Sequence, residues 1–264
     1  MKVVVIGGSG LIGSKLVPKL IADGHEAVPA SPNTGVNTVT GEGLAEVLKG
    51  AEVVVDVSNS PSLEGDAPIA FFKTSTRNLI SAGQAAGIKH YVALSVVGTN
   101  RFLESDYFLA KMAQEDLVRE SLMPYSIVHA TQFFEFFKTI AGAATVGDEV
   151  HLPSVLVQPM ATDEIASAIA RVAVGPAQNG IVEVAGPQVF RLDEFVAHGL
   201  NEFNDRRRVV VDPKARYFGA SLTERQLLPG DAVRLGEVRF EDWLKANSPR
   251  AHGIVVAGPP PQQW

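Results

Sequence analysis

Two periods of apolar residues alternate along the chain. Residues 2–6 (KVVVI) form an unbroken, mostly β-branched run that stops at Gly7, the pattern of a strand buried on both faces of a parallel sheet. Residues 11–22 then place Leu11, Ile12, Leu16, Leu20 and Ile21 at helical spacing, closed by Asp23 and Gly24. The exchange recurs, predicting strands over 26–30, 36–40, 52–57, 91–95 and 125–130 and helices over 44–49, 69–86 and 107–122. Strand followed by helix, repeated in this way, specifies right-handed crossovers and a doubly wound α/β parallel sheet.

After about residue 140 the pattern loosens. Shorter pieces follow: a short element over 155–158, a strand over 181–185, and helices over 163–174 and 192–203. The expected organisation is a sheet domain over 1–140, then a substrate-side portion over 141–250 sharing its core and packed over the sheet's C-terminal edge, where open α/β sheets bind ligands. Residues 251–264, with Gly258-Pro259-Pro260-Pro261, read as a mobile proline-rich tail.

Composition narrows the chemistry. Of 264 residues, 46% are hydrophobic and 20% charged, enough apolar material for a folded core. The absence of cysteine removes thiolate nucleophiles, disulfides and cysteine-held metals. The histidines show no metal-ligand spacing, so no metal is expected. A net charge of −6 argues against nucleic acid or anionic membrane as a partner, and Arg206, Arg207 and Arg208 read as a solvated face. No run approaches the roughly 20 apolar residues of a membrane span. The first residues read as strand and loop rather than a secretory signal, so the expectation is a cytoplasmic protein acting on a small molecule. Assembly as a homo-oligomer stays open.

Gly7-Gly8-Ser9-Gly10-Leu11-Ile12-Gly13 lies between the first strand and the first helix. Gly7, Gly10 and Gly13 suit a tight turn, close approach of backbone to a pyrophosphate, and close packing of helix on strand, while Ser9, Leu11 and Ile12 bring their amides to the helix start. The cofactor implied is a nicotinamide dinucleotide. After the second strand there is neither an acid to repel a 2′-phosphate nor an arginine to grip one, only neutral Ser31, Asn33 and Thr34. Missing repulsion favours NADP, with NAD as the alternative.

Tyr107 and Lys111 stand one helical turn apart. A neighbouring ammonium favours phenolate and so should lower the Tyr107 pKa towards the working range of a proton donor or acceptor. Ser95, ending the preceding strand, is placed to polarise a substrate carbonyl.

With these residues in view the chain resembles the short-chain dehydrogenase/reductase superfamily, in its atypical NmrA-like branch. The carriers are Gly7-x-x-Gly10-x-x-Gly13, the strand over 52–57 with Asp56, Thr76-Arg77-Asn78-Leu79-Ile80, Gly87-Ile88-Lys89-His90-Tyr91-Val92 leading to Ser95, Tyr107-x-x-x-Lys111, Pro124-Tyr125-Ser126-Ile127-Val128 and Thr131-Gln132-Phe133. The resemblance covers about residues 1–200. It implies a Rossmann-type domain with Tyr107 as general acid/base, Lys111 as its partner on the nicotinamide ribose, Ser95 orienting the carbonyl, and Val57, Ser58 and Thr131 along the cofactor. Two features depart from it: His129-Ala130 stands where many relatives carry Arg-Pro, and the arginine usual after the second strand is missing.

Other residues admit two readings. His129 is first a satisfied core histidine and second a group that orients an oxyanion. Phe133, Phe134, Phe136 and Phe137 are either core or the roof of an apolar pocket for a quinone or enone. Asp56 divides evenly between forming a turn and facing the cofactor. The function these features imply is NAD(P)H-dependent hydride transfer to or from a small apolar carbonyl or quinone-like substrate. The alternatives are an NADP-binding redox-sensing regulator without catalysis, and a sugar epimerase or isomerase.

Overall fold

The computed structural model describes residues 1–62 and 65–249. The chain opens with β1 (Lys2–Ile6), α1 (Gly13–Ala22), β2 (Glu26–Ala30), α2 (Leu44–Leu48), β3 (Val53–Asp56), α3 (Ala67–Ala86), β4 (His90–Val96), α4 (Asp106–Glu120) and β5 (Tyr125–Ala130). It continues through α5 (Phe137–Ala143), β6 (Thr145–Val146), β7 (Glu149–Leu152), β8 (Leu156–Val157), α6 (Thr162–Val174), β9 (Gly180–Ala185), β10 (Phe190–Arg191), α7 (Leu192–Glu202), β11 (Arg208–Val211), β12 (Arg234–Leu235) and α8 (Phe240–Asn247).

Among the described residues the central sheet holds seven strands in the order β12-β9-β5-β4-β3-β1-β2, all parallel. Period-2 alternation sorts β1 between two helical layers. Val3 and Val5 pack with Leu16 and Leu20 of α1 and Ile165 and Ile169 of α6. Val4 and Ile6 face the other way, onto Leu44 and Leu48 of α2, Leu79 of α3 and Val118 of α4. A third core of Phe134, Phe137, Leu192, Phe195, Phe240 and Leu244 sits beyond the strand ends, under α5, α7 and α8.

From β1 the chain turns outward to β2, then crosses back to β3 on β1's other side. Such a reversal leaves a crevice at the C-terminal ends of the strands, and it sets the loops after β1 and β3 side by side. That is where the site lies.

The structure departs from expectation in several places. The strand expected over 36–40 is a turn, because Asn37 Oδ1 accepts from the amides of Val39 (2.9 Å) and Thr40 (3.3 Å) and so competes with any ladder. Beyond residue 140, β9 and β12 join the central sheet, so the sheet itself runs across that position. Unforeseen are α5, α8 and the small sheet β11-β7-β6. The proline-rich segment lies outside the described residues. Among the described residues no helix is long and apolar enough to cross a membrane, and no group of three or more His, Asp and Glu could hold a metal ion.

Candidate functional site

A cavity of about 650 Å³ occupies the crevice. At one end it meets the glycine loop. Gly7 has φ +77°, and a Cβ there would lie 2.9 Å from Ser58 Cα, so only glycine lets the β1 and β3 loops touch. A Cβ on Gly13 would fall 2.2 Å from Gly7 O, so this residue acts by packing α1 onto the loop and is not itself a cavity wall. The loop is closed by Gly10 N donating to Gly7 O (2.9 Å) and Ser14 N to Gly10 O (2.9 Å). Among the described residues nothing accepts from the amides of Leu11 and Ile12, and both residues line the cavity. Two free N–H groups at a helix start, flanked by glycines whose places a side chain would block, fit a dinucleotide pyrophosphate.

Ser9, Gly10, Ser31, Val57 and Ser58 also wall the cavity. Ser31 is tied back to the loop, its Oγ accepting from Ser9 N (3.2 Å) and its amide donating to Thr34 Oγ1 (2.9 Å). Asn33 is exposed and does not line the cavity. Asp56 resolves towards structure: Oδ1 accepts from the Ser58 amide (3.0 Å) and hydroxyl (2.6 Å), and Oδ2 from Tyr91 (3.2 Å) and Gln114 (2.9 Å).

At the other end stand Ser95, Tyr107, Lys111 and Thr131. Lys111 is 2% exposed; its ammonium donates to Leu94 O (2.8 Å) and to Gln114 Oε1 and lies 4.3 Å from the centre of the Phe72 ring. Desolvation lowers it to about 8 against the pull of Asp56 and Glu115. Because the ammonium is turned to these partners, it does not bring Tyr107 down. Enclosure by protein instead pushes the phenol up to about 12, opposite to the expected direction. The Tyr107 ring packs edge-on against Phe72 and Phe108, and among the described residues its hydroxyl has no hydrogen-bond partner.

Several other hydroxyls around this end are already engaged. Ser95 Oγ donates to Glu115 Oε1 (2.5 Å), Thr99 Oγ1 to Val96 O (2.5 Å) and Thr131 Oγ1 to Gln158 O (2.6 Å). A hydroxyl has one proton, so Ser95 in this arrangement cannot also donate to a carbonyl. Glu115, which the sequence reading overlooked, collects Ser95, His129 Nε2 (2.9 Å) and Arg119 Nη2 (2.6 Å). Burial would raise its pKa, but His129, Ser95 and Thr99 outweigh that and hold it at about 2. His129 is thereby a satisfied interior histidine. The phenylalanine patch divides: Phe134 and Phe137 are core, while Phe133 and Phe136 line the cavity. Also overlooked were Gln132, Tyr217 and Phe218, which complete the walls. Lys111, Gln114, Glu115 and Val118 at helical spacing on a buried face were a signal for Glu115; for Tyr217 there was none.

A family model described as NAD(P)H-binding matches residues 7–173, well over half of the chain. Among curated relatives, the photosystem II assembly factor Ycf39 of Trieres chinensis is 25% identical over 149 residues, covering 51% of this chain and 47% of that protein. A 3-beta-hydroxysteroid dehydrogenase of Mycolicibacterium neoaurum is 32% identical over 112 residues, 34% of this chain and 31% of that one. The matches thus span under half the length of these curated relatives. Among solved structures, a short-chain dehydrogenase/reductase superfamily protein of Agrobacterium tumefaciens with bound NAD superposes with TM-score 0.71 at 15% identity, covering 96% of this chain and 98% of that one. An NADPH-dependent quinone oxidoreductase of Escherichia coli complexed with NADPH gives 0.61 at 17% identity, over 80% and 77%.

Proposed function

The chain belongs to the NAD(P)H-binding family and has the Rossmann-type fold of the short-chain dehydrogenase/reductases, and on that premise we propose that it is an NAD(P)H-dependent oxidoreductase acting on a small apolar carbonyl or quinone-like compound. The observation that carries this reading is Tyr107: a phenol without a hydrogen-bond partner among the described residues, one turn from a buried lysine, in an aromatic cavity continuous with the glycine loop. The amides of Leu11 and Ile12 would hold the pyrophosphate, and Val57, Ser58 and Thr131 would line the rest of the cofactor. NADP is the form proposed, because the neutral groups after β2 present nothing to repel a 2′-phosphate. Nicotinamide, when bound, supplies or takes a hydride.

The protein's own part is proton handling and orientation. Held up at about 12, Tyr107 stays protonated through the neutral range and hands its proton to a carbonyl oxygen as negative charge builds there. Lys111 supplies the nearby positive charge while it is protonated, below about pH 8. The aromatic walls exclude water and seat a flat molecule. The test is NADPH oxidation across a panel of carbonyls and quinones, preceded by identification of any ligand that co-purifies. NADH bound tenfold more tightly than NADPH would overturn the cofactor choice.

One observation favours a second reading, a dinucleotide-binding protein that acts through a partner: the engagement of Ser95 by Glu115 removes a carbonyl-polarising donor. Dinucleotide bound but never consumed across the panel would select it.

A further inference from the structure

Gln132 lines the cavity and is 7% exposed, yet among the described residues its carbonyl Oε1 has no hydrogen-bond partner. A buried acceptor left without a donor is unfavourable, and in a cavity wall it marks the place of a ligand group. Its backbone is pinned, Gln132 O accepting from Met160 N (2.9 Å) within a short parallel bridge. Tyr217 lies beside it, 7% exposed, its phenol close enough to interact with both the Gln132 side chain and Tyr107.

Tyr217 is fixed as firmly. Its amide donates to Ala220 O (2.8 Å) and Ala220 N to Tyr217 O (3.0 Å), closing a tight hairpin through Phe218 and Gly219, both at positive φ. Arg216 straps the hairpin to Glu104 across an ion pair of 3.2 Å. Two polar side chains on pinned backbone therefore share the cavity wall with Tyr107 among aromatic faces.

Their hydrogen-bonding capacities select the ligand. Gln132 Oε1 can only accept. The Tyr217 hydroxyl donates to no acceptor among the described residues, which leaves its proton to donate. A hydroxyl donates to the first and accepts from the second through one oxygen, whereas a carbonyl cannot donate and an ammonium cannot accept. We propose that Gln132 and Tyr217 form a hydroxyl-reading subsite beside Tyr107, so that the substrate is a flat apolar carbonyl compound carrying a second, non-reacting hydroxyl. This rests on the oxidoreductase reading above and names its substrate class.

The test uses the full chain saturated with NADP⁺ and titrated in a calorimeter with 1-tetralone and its ring-hydroxylated isomers. At least one isomer should bind about tenfold more tightly than 1-tetralone, because a site built to hold a hydroxyl penalises its absence. Gln132→Leu and Tyr217→Phe, each near-isosteric, should bring that ratio close to one. No isomer preferred over 1-tetralone, or a preference that survives both substitutions, overturns the subsite. Turnover of the same compounds is read in parallel from NADPH absorbance. Preference without turnover keeps the subsite and removes the oxidoreductase reading; turnover without preference does the reverse.

Discussion

The two ends of the cavity are built by different means. The dinucleotide end is made of backbone: glycines that admit no side chain, two free amides, and neutral hydroxyls tied back into the loop. The far end is made of side chains from four separate segments, ending β4, opening α4, following β5, and in the hairpin around Tyr217. It also rests on buried charge, with Lys111 linked through Gln114 to Asp56, and Glu115 to His129. A backbone cradle depends on shape and is insensitive to pH. A cluster of buried ionisable groups makes its end pH-dependent.

Substitutions at the two ends should therefore separate binding from turnover. Tyr107→Phe removes one hydroxyl from the side-chain end and should lower kcat by about 10²–10⁴-fold, the range for a lost general acid. Its dinucleotide Kd should stay within about twofold by fluorescence titration, since Tyr107 bonds nothing in the loop; full turnover in this variant would remove the mechanism. At the backbone end, Gly13→Ala drives a methyl into Gly7 O, an atom that cannot swing aside. Overpacking of this kind costs about 1–3 kcal/mol, or about ten- to a hundredfold in dinucleotide Kd if α1 shifts to relieve it. An alanine variant that bound dinucleotide normally would show that the helix start does not set the cradle.

The same contrast explains what could be read from the sequence. The glycine loop was legible because its parts are contiguous: Gly7, Gly10 and Gly13 lie between a β-branched strand and a periodic helix, and Gly7 and Gly13 each answer one steric demand. The alternating layers were legible for the same reason, since β1 and β3 announce burial on both faces. Asn37 shows where such reading fails, its side chain capturing two amides in a stretch whose apolar residues suggested a strand. The direction of the Tyr107 pKa was not legible, because helical spacing fixes that Lys111 is near and leaves open where its ammonium points; Leu94 O and Gln114 claim it.

 Tyr217 was beyond reach altogether, since a hairpin more than a hundred residues downstream brings it to the cavity and only tertiary packing places it there.

Lys111 offers a finer test of the charged end. Desolvation holds it at about 8, well below its ordinary 10.5. If its positive charge supports proton transfer, kcat should fall by about tenfold per pH unit above pH 8, while dinucleotide Kd over the same range stays flat. Stability should move the other way. Between about pH 8 and pH 10 the unfolded chain binds the lysine's proton and the folded chain does not, so the unfolding free energy should rise with pH across this window. Lys111→Met should abolish that rise in urea denaturation; a rise that persisted in the variant would assign it to another group.

Glu115 should have the smallest effect on turnover, because among the described residues Ser95 alone of its hydrogen-bond partners lines the cavity, and its charge only supports that of Lys111. Its carboxyl is held at about 2, below the ordinary 4.5, so it stabilises the fold fully above pH 4.5 and loses that contribution as pH falls towards 2. Glu115→Gln keeps the shape and removes the charge. It should cost about 1.5–3 kcal/mol at neutral pH, the scale of a charge-assisted hydrogen bond, and the difference from the parent chain should shrink on acidification. Turnover should change by less than about fivefold if, as proposed, Tyr107 and not the hydroxyl that Glu115 holds carries the proton. A larger loss of kcat with unchanged dinucleotide Kd would place Ser95 in the chemistry and make the buried carboxylate its positioning group, extending the charged end of the cavity by one residue.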